Sequence, residues 1–122
     1  MVGKKVWAIA EGYIPSDTSI ERDPAFISHE TVCLLNAGER DAAVEIIIYF
    51  ADREPVGPYS VQVPACRTRH LRFNDLADPG PIPRDTDYSC VVSSSEPIVV
   101  QHTRLDTRRG NLALLSTLAY CE

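Results

Sequence analysis

The sequence predicts an all-β fold: a single-domain antiparallel β-sandwich of about eight strands. Three observations carry this expectation. Apolar and polar residues alternate at the two-residue period of a half-buried strand along most of the chain. Clusters rich in Gly, Pro, Asn, Asp and Ser punctuate the alternation at intervals typical of antiparallel folds. No convincing 3.6-residue periodicity lies between the strands, which argues against alternating strand and helix units. The length of 122 residues suits one compact domain with a real core.

Taken in order, the strands are expected at 5–10 (KVWAIA), 26–36 (FISHETVCLLN), 43–51 (AVEIIIYFA) and 59–65 (YSVQVPA). Four more follow at 68–74 (TRHLRFN), 88–94 (YSCVVSS), 97–105 (PIVVQHTRL) and 112–120 (LALLSTLAY). Each is rich in β-branched, aromatic or alternating residues. The breakers NAGERD, DREPVGP, NDLADPGPIPRDTD, SSSEP and DTRRGN separate them. The last segment also has a helical stripe of Leu112, Leu115 and Ala119, but it lacks a polar opposite face, so a buried strand is the better assignment.

Composition sets broad limits. The hydrophobic share of 44% and the charged share of 24% are those of an ordinary folded protein. No window approaches the roughly 20 apolar residues of a membrane helix. The amino-terminal MVGKKVWAIAEG is interrupted by Glu11 before a secretory hydrophobic region develops, so a cytoplasmic protein is expected. Cys33, Cys66, Cys90 and Cys121 are widely spaced, without a C-x-x-C pair, and are expected as reduced and mostly buried thiols. The net charge of -5 is uneven: residues 1–61 hold five Lys/Arg against ten Asp/Glu, and residues 62–122 hold seven of each. An acidic chain without a basic run lacks the footprint of a general nucleic-acid binder, and Arg108 and Arg109 are the only adjacent arginines available for DNA.

The polar residues form two similar rows. His70, Arg72 and Asn74 alternate in one predicted strand, and His102, Arg104 and Asp106 alternate in another, so each triplet shares a face. His29 is followed by Glu30. A wetted sheet face tolerates such rows. His, Arg, Asn and Asp are also the residue types that converge in polar pockets or subunit contacts, where arginine forks suit a carboxylate, phosphate or polyhydroxylated ligand. Trp7 shares a strand face with Ile9 and Glu11; it belongs either to the core or to a stacking position beside Glu11. A cupin-like metal site of His29, His70 and His102 is the distant alternative, opposed by an arginine two residues from both His70 and His102. No G-x-S-x-G, P-loop, G-x-G-x-x-G or H-E-x-x-H pattern occurs, so neither catalysis nor a cofactor is expected.

The strings WAIAEGYIP (7–15), FISHETVCLLNAG (26–38), EPVGPY (54–59), RFNDL (72–76), PIPRDTDY (81–88), PIVVQHTRLD (97–106) and ALLSTLAY (113–120) together resemble the sensory rhodopsin transducer family. The resemblance spans nearly the whole chain, leaving out the loop SDTSIERD (16–23) and TRRGNL (107–112). It implies a cytoplasmic, non-catalytic, single-domain β-sandwich that assembles as a homotetramer. It also implies a membrane-embedded sensory rhodopsin as partner, a small polar ligand such as a sugar, and, more weakly, DNA. It assigns no residue-level site, so the candidates are those of the rows: Trp7, Glu11, His29, Glu30, His70, Arg72, Asn74, His102, Arg104 and Asp106.

Overall fold

The computed structural model describes residues 1–17 and 23–122; the centre of the loop SDTSIERD, residues 18–22, lies outside the described residues. Among the described residues eight strands form: β1 (Lys4–Gly12), β2 (His29–Asn36), β3 (Ala42–Phe50), β4 (Val56–Val63), β5 (Arg67–Arg72), β6 (Tyr88–Asp106), β7 (Ala113–Leu118) and β8 (Tyr120–Cys121). Every pairing is antiparallel. One sheet runs β4-β3-β6-β1-β8, and a second runs β5-β2-β6-β7. The architecture is the β-sandwich that the alternating pattern predicts.

Strand β6 belongs to both sheets. Its first half, Tyr88 to Ser94, pairs with β3, and its second half, Val99 to Leu105, pairs with β2. The segment SSSEP is therefore not a turn between two strands but the crossing inside one 19-residue strand. The ladder to β1 jumps from Lys4↔Ile98 to Val6↔Ser93, so the residues between are set out of register. Pro97, which has no N–H to give, sits where neither the β3 nor the β2 ladder asks for one. Ser95 makes use of the gap: its hydroxyl accepts the Ala43 N–H at 2.8 Å.

The single strand expected at 112–120 is instead two. β7 lies beside the second half of β6, while β8 pairs with β1 in the other sheet. Ala119 marks the transfer; it is buried and donates its N–H to the Val100 carbonyl at 3.1 Å. Phe73 and Asn74 also leave the predicted strand, entering a 3-10 turn at Phe73–Asp75 that turns the Phe73 ring into the interior. The other strand ends lie within three residues of those expected.

Burial follows the two-residue period. Val32 and Leu34 of β2, Val44, Ile46 and Ile48 of β3, and Val92, Ile98 and Val100 of β6 form the core. Trp7 joins them at 3% exposure, its indole N–H shared between the carbonyls of Lys4 and Ile98. Asn36, also fully buried, closes the β2–β3 connection by donating to the carbonyls of Arg40 and Val63 and accepting the Gly38 N–H. All four cysteines are free thiols, but only Cys90 is buried; Cys66 is exposed on the turn before β5. Burial pushes the Cys90 thiol up to about 12.

Gly12 ends β1 against the flat side of Tyr88. A Cβ there would lie 2.4 Å from the ring's Cζ, far inside van der Waals contact. The Gly12→Ala variant should lose about 1–3 kcal/mol, seen as a lower urea midpoint at unchanged slope. An unchanged midpoint would show that the Tyr88 ring is free to move aside.

Candidate functional site

Glu30 lies on the inner face of β2, between buried Ser28 and Val32, and is itself fully buried. Its register partner is Arg104 of β6, and Val32 is opposite His102, so both β6 residues come to the same inner face. Four donors meet the Glu30 carboxylate. Oε1 accepts the Tyr88 hydroxyl at 3.0 Å and lies 2.6 Å from His102 Nε2. Oε2 accepts the Tyr13 N–H at 2.6 Å and Arg104 Nε–H at 3.0 Å. The carboxylate accepts from the Tyr13 amide, the Tyr88 hydroxyl and the Arg104 guanidinium, and with Glu30 in this acceptor role the His102 contact takes its proton from Nε2. A carboxylate taken out of water costs several kcal/mol, which only such complete pairing offsets.

The surrounding side chains hold the donors in place. Phe73 packs edge-on to Tyr88, with centroids 5.4 Å apart, and to His102 at 6.4 Å. Asn74 accepts the Glu30 N–H and donates to the Ser28 carbonyl, pinning the start of β2 from the 3-10 turn. Burial, then the neighbouring carboxylate, pushes the Tyr88 phenol well above its ordinary value of 10.0, keeping the hydroxyl a donor. Burial opposes the charge of Arg104, but Glu30 and Glu11 outweigh it and raise the guanidinium above its ordinary value.

Arg104 extends the cluster outward. Its Nη1 donates to Glu11 at 3.3 Å, and Glu11 is largely exposed. The β1–β6 register slips between Ile9 and Gly12, giving a bulge of one extra residue on β1. This bulge turns Glu11 out of the core face that Trp7 and Ile9 occupy, as bulges re-aim side chains. Between β1 and β7 a groove of about 380 Å3 opens, lined by Ala8 and Glu11 of β1, His102 and Arg104 of β6, Leu115 and Thr117 of β7, and Tyr120 of β8.

The two His-x-Arg rows do not meet. In the β2–β5 ladder Cys33 is opposite His70 and Thr31 is opposite Arg72, so the first row shares the outer face, whereas His102 and Arg104 share the inner one. Within one chain the two rows therefore form no common polar cleft, for a reason of parity: a face is set by odd or even position along β2. His70 is exposed, and Arg72 donates to the Pro24 carbonyl. His29 is opposite Leu105, also on the outer face, with Nδ1 2.7 Å from the Ile27 carbonyl oxygen. The three histidines are thus dispersed, and among the described residues no three metal-ligating side chains cluster. Asp106 pairs with Arg108 rather than joining Glu30, and the hydrogen bonds from Arg108 are the main cause holding its carboxyl below the usual range.

Sequence reasoning missed Tyr13, Tyr88 and Phe73 at this site. Tyr88 was legible only as a strand residue, and the Tyr13 contact is made by its backbone, which no side-chain pattern announces.

Comparison with known proteins agrees with this architecture. The family model of the Anabaena sensory rhodopsin transducer matches residues 2–121. The solved structure of the Anabaena sensory rhodopsin transducer is 59% identical, with TM-score 0.72 over 84% of this chain and 97% of that one. A Thermotoga maritima protein, 1070, is 32% identical, with TM-score 0.88 over 100% of this chain and 97% of that one. Among curated proteins there is no match.

Replacing Glu30 by Gln removes an acceptor charge and leaves Arg104 without its buried partner. Glu30→Gln should lose about 3–5 kcal/mol, whereas His70→Ala should stay within about 0.5 kcal/mol of the parent in denaturant unfolding. Equal effects would contradict the inner and outer assignment. Tyr88 supplies a test with pH. Its folded-state pKa is raised, so its contribution is complete below about pH 10 and is lost as pH rises further. Tyr88→Phe should start less stable at neutral pH and decline less steeply in alkaline solution.

Proposed function

This chain belongs to the Anabaena sensory rhodopsin transducer family, and from that premise we propose that it is a cytoplasmic, non-enzymatic signalling module receiving its signal from a membrane-embedded sensory rhodopsin. The observation that supports the mechanism is the Glu30 cluster. Arg104 and His102 stand at the groove wall, and their shared acceptor also holds the Tyr13 N–H, where β1 gives way to the segment leading to the loop. A partner that draws Arg104 outward loosens one bond of a saturated set and biases the segment after β1. Such a partner acts through its different affinity for the two arrangements.

The same saturation supports a binding role over catalysis. A His beside a Glu resembles part of a catalytic relay, but both Glu30 oxygens are fully engaged and His102 is only 5% exposed. The pair holds structure rather than offering a free base. Among the described residues no helix is long and apolar enough to cross a membrane, so the rhodopsin would supply the membrane-embedded part. DNA is the less favoured partner, because Arg108 is occupied by Asp106 and the neighbouring surface carries Asp17 and Asp85.

The chain acts in this reading as one domain within a homotetramer. The outer face of the second sheet presents Leu35, Leu114 and Leu118, at 41%, 71% and 60% exposure. Among the described residues β7 is paired on one edge only, and it is exposed along its whole length. Exposed apolar strands with a free edge are the surfaces that association covers.

The functional test is sedimentation with membranes. The protein should pellet with vesicles containing the sensory rhodopsin of the same organism and not with rhodopsin-free vesicles. Equal behaviour with both would overturn the rhodopsin partnership and favour a free-standing sensor of a small ligand. For assembly, the Leu114→Asp, Leu118→Asp double variant should move from tetramer to smaller species in analytical ultracentrifugation; an unchanged sedimentation coefficient would remove this face from the interface.

A further inference from the structure

We propose that the free edge of β5 takes an extended acidic peptide segment of a partner protein, which adds to the second sheet as a further strand and sets its carboxylates against Arg67, Arg69 and Arg72. The site lies at the opposite edge of that sheet from β7 and apart from the Glu30 cluster.

Three observations lead to it. β5 reads RTRHLR, three arginines and a histidine in six residues with no acid among them. Among the described residues it pairs with β2 alone, so its other edge presents main-chain N–H and C=O groups without a ladder partner. Its arginines are not neutralised within the chain: the ion pairs among the described residues join Arg40, Arg53, Arg104 and Arg108 to carboxylates and include none of these three. In a chain of net charge -5 with seventeen Asp/Glu to draw on, so local an excess of arginine belongs to this strand and not to the composition.

The guanidinium groups are also positioned. Arg67 Nη1 donates to the Cys66 carbonyl at 3.0 Å, Arg69 Nη1 to the Gln62 carbonyl of β4 at 3.1 Å, and Arg72 Nη1 to the Pro24 carbonyl at 3.2 Å. Each anchor uses one nitrogen of the guanidinium and leaves the others to meet a carboxylate from a side chain already oriented. Arg67 and Arg69 are opposite Asn36 and Leu34 and share one face, while Arg72, opposite Thr31, is on the other. Residues two apart along a strand are separated by about 6.6 Å, so an extended peptide with acids at alternate positions meets Arg67 and Arg69 in step.

The edge selects the class of partner. It offers donors and acceptors in alternation, which a second peptide backbone answers in kind. The phosphates of a nucleic acid or an anionic membrane supply acceptors alone. Charge that merely guards an edge against self-pairing can be of either sign or mixed. Three arginines without an acid reject basic segments and admit acidic ones, since like charges across a strand pair destabilise and opposite ones stabilise. Asp41, which accepts the Ala65 N–H before the strand, and Asp75 after it bound the row, so the acidic run it suits is no longer than β5.

The test titrates the intact protein, observed by NMR, with the acetylated and amidated peptide ETEVET. This peptide should bind with shifts centred on the amides of Arg67 to Arg72, about tenfold more tightly than QTQVQT, which keeps the backbone and loses the charge. A fully N-methylated ETEVET keeps the charge but cannot donate along the edge, and it should also bind about tenfold more weakly. The Arg67→Gln, Arg69→Gln double variant changes two exposed side chains; it should weaken ETEVET about tenfold and leave QTQVQT unaffected. Equal binding of the three peptides, shifts centred elsewhere, no binding, or tighter binding of a DNA duplex or of phosphatidylserine vesicles than of ETEVET would each overturn the proposal. Should the double variant unfold, the comparison of the three peptides on the parent protein decides.

Discussion

The rest of the structure depends on the burial of one carboxylate. Glu30 sits at full burial with four donors from three separate stretches of chain: Tyr13 after β1, Tyr88 at the start of β6, and His102 and Arg104 near its end. Removing any donor leaves a charge or a polar group unpaired in a low-dielectric interior, where the penalty is largest. This coupling makes the two ends of a 19-residue strand, and the exit of β1, one mechanical unit.

The architecture that brings these donors together is the crossing of β6 between sheets. A strand confined to one sheet would carry Tyr88 and Arg104 far apart along a single face. By turning out of register between Ser93 and Ile98, β6 presents its first half to β1 and β3 and its second half to β2 and β7. The chain's last segment follows the same route as β7 and β8. The groove lies where β1 and β7 part on this path, so an open surface adjoins the buried cluster through Arg104. Fold and candidate site share one origin.

Much of this was legible in the sequence, for identifiable reasons. The two-residue period located the core strands because one face of each is buried, while the segment expected as a buried strand at 112–120 forms a β7 exposed along its whole length; Glu30, His102 and Arg104 stood out as polar residues in otherwise core-forming strands. Strand count survived while its partition did not: SSSEP carries the residues of a turn yet remains extended, since both halves of β6 find partners across it. The likeness of RTRHLRFND to PIVVQHTRLD misled about proximity. Both rows are real, but parity along β2 places them on opposite faces, and only pairing partners fix that parity. Asn74 was placed in a strand with His70 and Arg72; the turn at Phe73–Asp75 carries it to Glu30 instead. Glu11 reaches Arg104 through a bulge that the apolar pattern of β1 does not encode.

The central claim, that Arg104 at the groove wall and the Tyr13 backbone respond together through Glu30, is open to a direct measurement. Native-state amide exchange reports the opening of a single hydrogen bond. In an Arg104→Met variant the Tyr13 amide should exchange about tenfold or more faster than in the parent, while the amide of Ile46, in the opposite part of the core, should change little beyond the shift in global stability. If the Tyr13 and Ile46 amides accelerate by the same factor, the carboxylate does not couple the groove to the segment after β1.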